Sequence, residues 1–172
     1  EHIIIKNIEN TSACRTTRIA KARNTCLDIV YNKLKDIDFH IMLDADNVNV
    51  KPWNLNSIEK YLKNDNWDSL SFNRDRYYDS WALLYENFKY HCWGYNDYNS
   101  CRQIAGFMAY DITNKLKKLK DGELFKCYSA FNGFAIYRTN KFKNIIYDGT
   151  WVNFKEFINH NSRIHSLNFF KK

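Results

Sequence analysis

Phe39-His40-Ile41-Met42-Leu43-Asp44-Ala45-Asp46-Asn47 is the stretch on which the reading of this chain turns. Five mostly apolar residues without a helical period run into two carboxylates spaced i, i+2. That is the pattern of a buried strand ended by a polar turn. In open α/β sheets, ligands settle just beyond the carboxyl ends of such strands. Two carboxylates there offer hard oxygen ligands to a divalent cation, and the cation can hold a diphosphate. A pair of solvated turn aspartates is the simpler alternative, and the strand-end position is what favours the metal.

Upstream, Thr16 or Thr17 caps a helix predicted to reach about Lys35. Ile19, Ala22, Cys26, Val30 and Leu34 recur at spacings of three and four and are the expected buried stripe. Arg15, Arg18 and Arg23 lie off that stripe, either as a phosphate-gripping set or as a solvated basic face. Before this helix, residues 2–6 read as a strand. Downstream, Pro52 blocks any strand, and Asn54 or Asn56 can cap a helix with Leu55, Ile58, Tyr61 and Leu62 inward. Trp67 to Phe72 alternates as a strand should. Strand, helix, strand, helix, strand predicts an α/β sheet with parallel members.

The second half is less regular. Asn73 to Leu83 mixes charge with aromatics just after a strand. Its Tyr and Trp rings can form a platform for a sugar or base, with Asp79 accepting from hydroxyls. The alternative is a surface loop anchored by Trp81. Tyr85 to Tyr98 reads as a loop, and Cys101 to Lys120 as a helix closed by Gly122. Leu124–Ser129 and Gly133–Arg138 read as strands joined by the turn Ala130-Phe131-Asn132-Gly133. Near the end, His160 and His165 are surface histidines or a late metal ligand.

Composition bounds the possibilities. The 172 residues suffice for one domain with a core, and 45% hydrophobic with 17% aromatic residues exclude disorder. No apolar run approaches the roughly 20 residues that a membrane crossing needs. The net charge of +7, from 26 basic and 19 acidic residues, suits an anionic partner or a plain solvated surface. Cys14, Cys26, Cys92, Cys101 and Cys127 are odd in number and lack Cys-x-x-Cys spacing. Reduced thiols and a cytoplasmic location follow as the expectation, with a lumenal or viral setting as the alternative.

Four segments occur in order: Arg18-Ile19-Ala20-Lys21-Ala22-Arg23-Asn24, Asp44-Ala45-Asp46, Tyr78-Asp79-Ser80-Trp81-Ala82-Leu83, and Ser129 to Arg138. Over residues 18 to 138 the series resembles the GT-A glycosyltransferases, nearest to fungal capsule-associated mannosyltransferases and similar microbial or viral enzymes. The resemblance implies a Rossmann-like, mixed but mainly parallel sheet flanked by helices. It makes residues 1–172 a single domain that lacks part of the N-terminal nucleotide-binding element. It implies transfer of a sugar from a UDP- or GDP-sugar donor to a glycan or glycoprotein acceptor, with Mn²⁺ or Mg²⁺ on the donor diphosphate. Asp46 would bind the metal directly, and Asp44 would contact ribose or a metal-bound water. Arg18, Arg23 and Asn24 would lie near the nucleotide, and Asp79 and Trp81 beside the sugar or acceptor. Asn132 and Gly133 would form the acceptor-side loop. Where the family often has Glu-His, this chain has Asn159-His160, which makes His160 the expected third ligand and His165 a weaker one. Asp79 is the expected base, with Asp97, Glu123 and Glu156 as the other carboxylates for that role.

Two other readings compete. A haloacid-dehalogenase-like Mg²⁺-dependent phosphohydrolase also ends a strand in Asp-x-Asp, but it would begin near the motif and add a later acidic pair. A non-catalytic nucleic-acid-binding module would explain the charge and the aromatics. It has no use for two aspartates at a strand end, and nucleic acid is not an expected partner.

Overall fold

The computed structural model describes residues 15–34, 36–73, 76–85, 92, 97–149 and 170–171. The expected strand at residues 2–6, Cys14, Glu156, His160 and His165 lie outside these. The fold is mixed α/β. Helix α1 (Arg15–Asn32) leads into β1 (Phe39–Leu43), α2 (Leu55–Leu62) and β2 (Ser69–Ser71). Helix α3 (Tyr98–Leu116), β3 (Phe134–Arg138), α4 (Thr139–Phe142), β4 (Ile146–Tyr147) and β5 (Phe170–Lys171) follow.

The described sheet has the order β1-β3-β2, and both pairings are antiparallel. This corrects the expectation of parallel neighbours. β1 and β2 point the same way, but β3 lies between them and runs against both. The cause is where the chain re-enters the sheet. Asn132 and Gly133 take left-handed conformations, φ 54° and 81°, and the Gly133 carbonyl accepts from Asp44 N–H at 3.0 Å. β3 therefore starts where β1 ends, and its direction is reversed. β4 and β5 form a separate antiparallel pair.

β3 is the buried spine, with Phe134 to Tyr137 all buried. Strand alternation sends Ala135 and Tyr137 to one face and Phe134 and Ile136 to the other. The first face packs with Ala82, Phe131, Phe142 and Ile145. The second packs with Trp67, Leu70 and, from α2, Ile58, Tyr61 and Leu62. Asn54 caps α2, its side chain accepting from Ser57 N–H at 3.1 Å. β1 is an incompletely covered strand rather than a buried one, because α2 lies over β2 and β3 and leaves Ile41 and Leu43 exposed. Leu124 to Ser129 forms no strand; only Ser129 bridges Leu84. A third cluster gathers Met108 and Ile112 of α3 with Tyr77, Leu83 and Tyr85.

Helix α1 buries Ala20 and Leu27, packed with Tyr31, Met42 and Tyr147. The expected stripe is therefore displaced: Cys26 and Leu34 are exposed, while Arg23 and Asn24 turn inward to specific partners. The Asn24 side chain donates to Tyr147 O at 2.9 Å and accepts from Tyr147 N–H at 2.7 Å. The start of α1 is clasped by Gly149, whose carbonyl accepts from the Thr16 and Thr17 hydroxyls at 2.7 and 3.1 Å. A Cβ on Gly149 would sit 2.2 Å from Thr16 O, so only glycine permits this approach.

Candidate active site at the end of β1

Asp44 and Asp46 follow β1 directly, as expected. Asp44 is held from three directions. Its N–H is bound by Gly133 O, its carbonyl accepts from the Asn49 side chain at 3.2 Å, and its carboxylate accepts from Arg23 Nη2 at 3.1 Å. The Asn49 amide also donates to Gly133 O at 2.8 Å, so one side chain ties the end of β1 to the start of β3. Asp46, in the bend that follows, is exposed.

Arg23 reaches this point from α1 because aromatic rings carry it. Its guanidinium carbon lies 4.3 Å from the Phe131 ring centroid and 5.2 Å from that of Tyr147. Stacking leaves the edge of the guanidinium plane free to donate to Asp44, the geometry that Arg provides and Lys does not. Asn132, in the same turn as Phe131, is 2% exposed and fully used. Its side-chain oxygen accepts from Tyr78 N–H at 3.1 Å and Asp79 N–H at 3.4 Å, and its nitrogen donates to Phe72 O at 3.1 Å. These bonds place Asp79 beside the turn from which β3 begins.

Asp79 is the electrostatically distinctive group. Burial pushes its carboxyl up to about 6, and the Asp44 carboxylate pushes the same way, while Arg23 opposes both. Two carboxylates near one arginine cannot both be charged without cost, so the shift follows from the geometry. A carboxyl tuned to about 6 by burial and a like charge is suited to exchanging a proton near neutral pH.

The fold thus gathers Arg23, Asp44, Asp79, Asn132 and Gly133, with Asp46 next to them in the chain. Asn24 docks β4 against α1. Arg18 lies half-buried on α1, in the turn before Arg23. Trp81 packs against the core under α3, which makes it the anchor of its loop. Asp97 caps α3, its side chain accepting from Ser100 N–H at 2.8 Å, and Glu123 accepts from Lys120 N–H at 2.9 Å; both carboxylates close local turns. His160 is outside the described residues. Three participants were not singled out from sequence. Asn49 had a signal, an amide close after the acidic pair, whereas Phe131 and Tyr147 serve Arg23 in a way that no spacing announces.

Among the described residues no three His, Cys, Asp or Glu side chains converge. A closed protein cage for a cation is therefore not built from them. Asp44, with its side chain 36% exposed, and the exposed Asp46 fit a different arrangement. Mg²⁺ and similar ions take one or two carboxylates and complete their shell with phosphate oxygens and water. No helix among the described residues is long and apolar enough to cross a membrane. No protein-family model, curated protein or solved structure matches the chain.

Proposed function

We propose that this chain is a metal-dependent glycosyltransferase domain that moves a sugar from a nucleotide-sugar donor to a hydroxyl acceptor. One observation carries the reading: Asp79, raised to about 6, shares its surroundings with Asp44 and Arg23 at the carboxyl end of β1. A strand end with two carboxylates suited to an open cation site, an arginine and a proton-exchanging acid is the set such a transfer uses. The order of the four segments that resemble GT-A enzymes supports the same assignment.

Asp46 and Asp44 would hold Mn²⁺ or Mg²⁺, which supplies Lewis-acid neutralisation of the departing nucleoside diphosphate when bound. Arg23 orients the Asp44 carboxylate and adds positive charge on the diphosphate side of the cluster. Asp79 accepts the proton of the acceptor hydroxyl as the new glycosidic bond forms and the bond to diphosphate breaks. Asn132, by holding the N–H groups of Tyr78 and Asp79, keeps that carboxyl in position.

The test is thermal unfolding with Mn²⁺ and a panel of UDP- and GDP-sugars. A ligand bound only by the native state raises Tm by mass action, with about 2.7 kcal/mol expected at a hundredfold excess over Kd. At least one nucleotide diphosphate sugar should stabilise the protein with Mn²⁺, and Asp46→Ala should abolish the effect. No response across the panel defeats the reading. Mg²⁺-dependent hydrolysis of a simple phosphate ester, lost in Asp44→Asn, would instead establish a phosphohydrolase.

A further inference from the structure

A recess lies beside the acidic cluster, lined in part by Asn49 and Asn132. It is a cleft of about 600 Å³ between the start of α2, the end of β2 and the start of β3, and its chemistry differs from that of the acidic cluster. Among the described lining residues there is no carboxylate, and Lys51 and Arg76 both border it. Both cations are exposed at the rim of the cleft, where they favour the approach of an anion. Asn73, exposed at the same edge, adds a neutral polar group to the lining.

The walls are aromatic. Trp53 and Tyr78 line the cleft and are each 42% exposed. Trp53 stands edge-on to Phe134, with centroids 4.7 Å apart and planes at 61°, which fixes the indole against β3. A fixed, half-exposed ring with a polar tip suits a ligand that has both an apolar face and hydroxyls, as a pyranose has. Asn49 and Asn132 border this cleft and also hold the Asp44 and Asp79 backbone, so a molecule lying here adjoins the acidic cluster.

We propose that the cleft binds an anionic saccharide, a sugar carrying a carboxylate or a phosphate ester, with its ring on Trp53 and its charge between Lys51 and Arg76. Arg76 supplies the planar fork that pairs with either anion. The volume lies within the roughly 300–1,000 Å³ of small-molecule sites, whereas single-stranded nucleic acid needs an extended basic groove that tracks many phosphates. The proposal rests on the transferase reading only in making this saccharide the acceptor.

Calorimetric titration of the full chain, in chelator and without nucleotide, tests the site alone. The probes are a uronate-containing oligosaccharide, a neutral oligosaccharide of equal size, a hexose phosphate, inorganic phosphate and a short single-stranded RNA. At least one charged saccharide should bind about tenfold tighter than the neutral one, the value of one good charge-assisted contact. Whether the uronate or the phosphate ester wins identifies the anion. Arg76→Gln, on the surface, should erase that preference and leave the neutral affinity in place, and Trp53→Ala should weaken both saccharides. Equal binding of charged and neutral sugars overturns the proposal. So does inorganic phosphate binding as well as the hexose phosphate, RNA binding more tightly than any saccharide, or no effect of Arg76→Gln. Because metal and donor are absent, failure here leaves the Mn²⁺ and nucleotide-sugar result intact, and the reverse holds too.

Discussion

The two ends of β3 each carry an arginine laid on aromatic rings, and they differ in what the guanidinium does next. At the far end, Arg138 lies 4.5 Å from the Trp67 ring centroid and 5.2 Å from that of Phe39, and it donates to the carbonyls of Trp67 and Asn64 at 2.9 and 2.5 Å. Neutral acceptors absorb its hydrogen bonds, and its work is to close the sheet. His40 beside it is likewise structural: it stacks on Tyr137 at 5.1 Å and meets the Thr139 hydroxyl at 3.2 Å. At the near end, Arg23 rests on Phe131 and Tyr147 but spends its hydrogen bond on Asp44, with Asp79 close by. The same stacking device builds a seal at one end and a charged site at the other, and the acceptor decides which.

The largest effect should come from the seal. Arg138→Ala removes two ring contacts and two carbonyl partners, and a loss of about 2 kcal/mol is expected in urea unfolding. Its response to Mn²⁺ and nucleotide sugar should survive at temperatures where the variant is folded. Gly149→Ala should cost a comparable amount, because its Cβ collides with the backbone of α1. A variant that unfolds like the parent would mean that α1 is not held there. At the near end, Arg23→Gln should cost less, about 1 kcal/mol, but should move the Asp79 titration above about 6, which carboxyl NMR reads directly. An unmoved midpoint would remove Arg23 from the site's electrostatics.

Two pH dependences of opposite sign extend the comparison to the titrating groups at each end. Asp79 has its folded pKa raised, so the native state binds the extra proton and stability falls as pH rises from about 4 through about 6. Asp79→Asn should therefore melt a few degrees higher than the parent at pH 7.5 and equally at pH 4. Burial lowers His40 to about 4, so its neutral form is the native one. Its contribution is complete above its unfolded value of 6.5 and is lost as pH falls toward 4. His40→Phe should flatten that acid limb alone. If both variants shifted the same limb, the contrast between the two ends would fail.

Much of the site was legible because its parts are local. An acidic pair ends β1, an Asn-Gly turn opens β3, and Asn54 caps α2, each written within a few residues. Sheet direction was not legible: strands alternating with helices predict parallel neighbours, and β3 returns after the long excursion through α3 to enter from the opposite end. The buried face of α1 was misplaced for a related reason. Hydrophobic spacing finds apolar stripes, but this helix turns Arg23 and Asn24 inward, where Tyr147, Phe131 and Asp44 satisfy them.

The sequence by itself determined the strand with its two terminal carboxylates, the helices on either side and the polar turn before β3. These depend on residue type and short-range spacing, which a chain carries wherever it goes. Tertiary structure decided which charges meet. Only the antiparallel return of β3 brings Gly133 to Asp44, and only the rings of Phe131 and Tyr147 carry Arg23 across to it. Burial then raises Asp79 to about 6, and a carboxyl acquires that property only from the neighbours folding gives it.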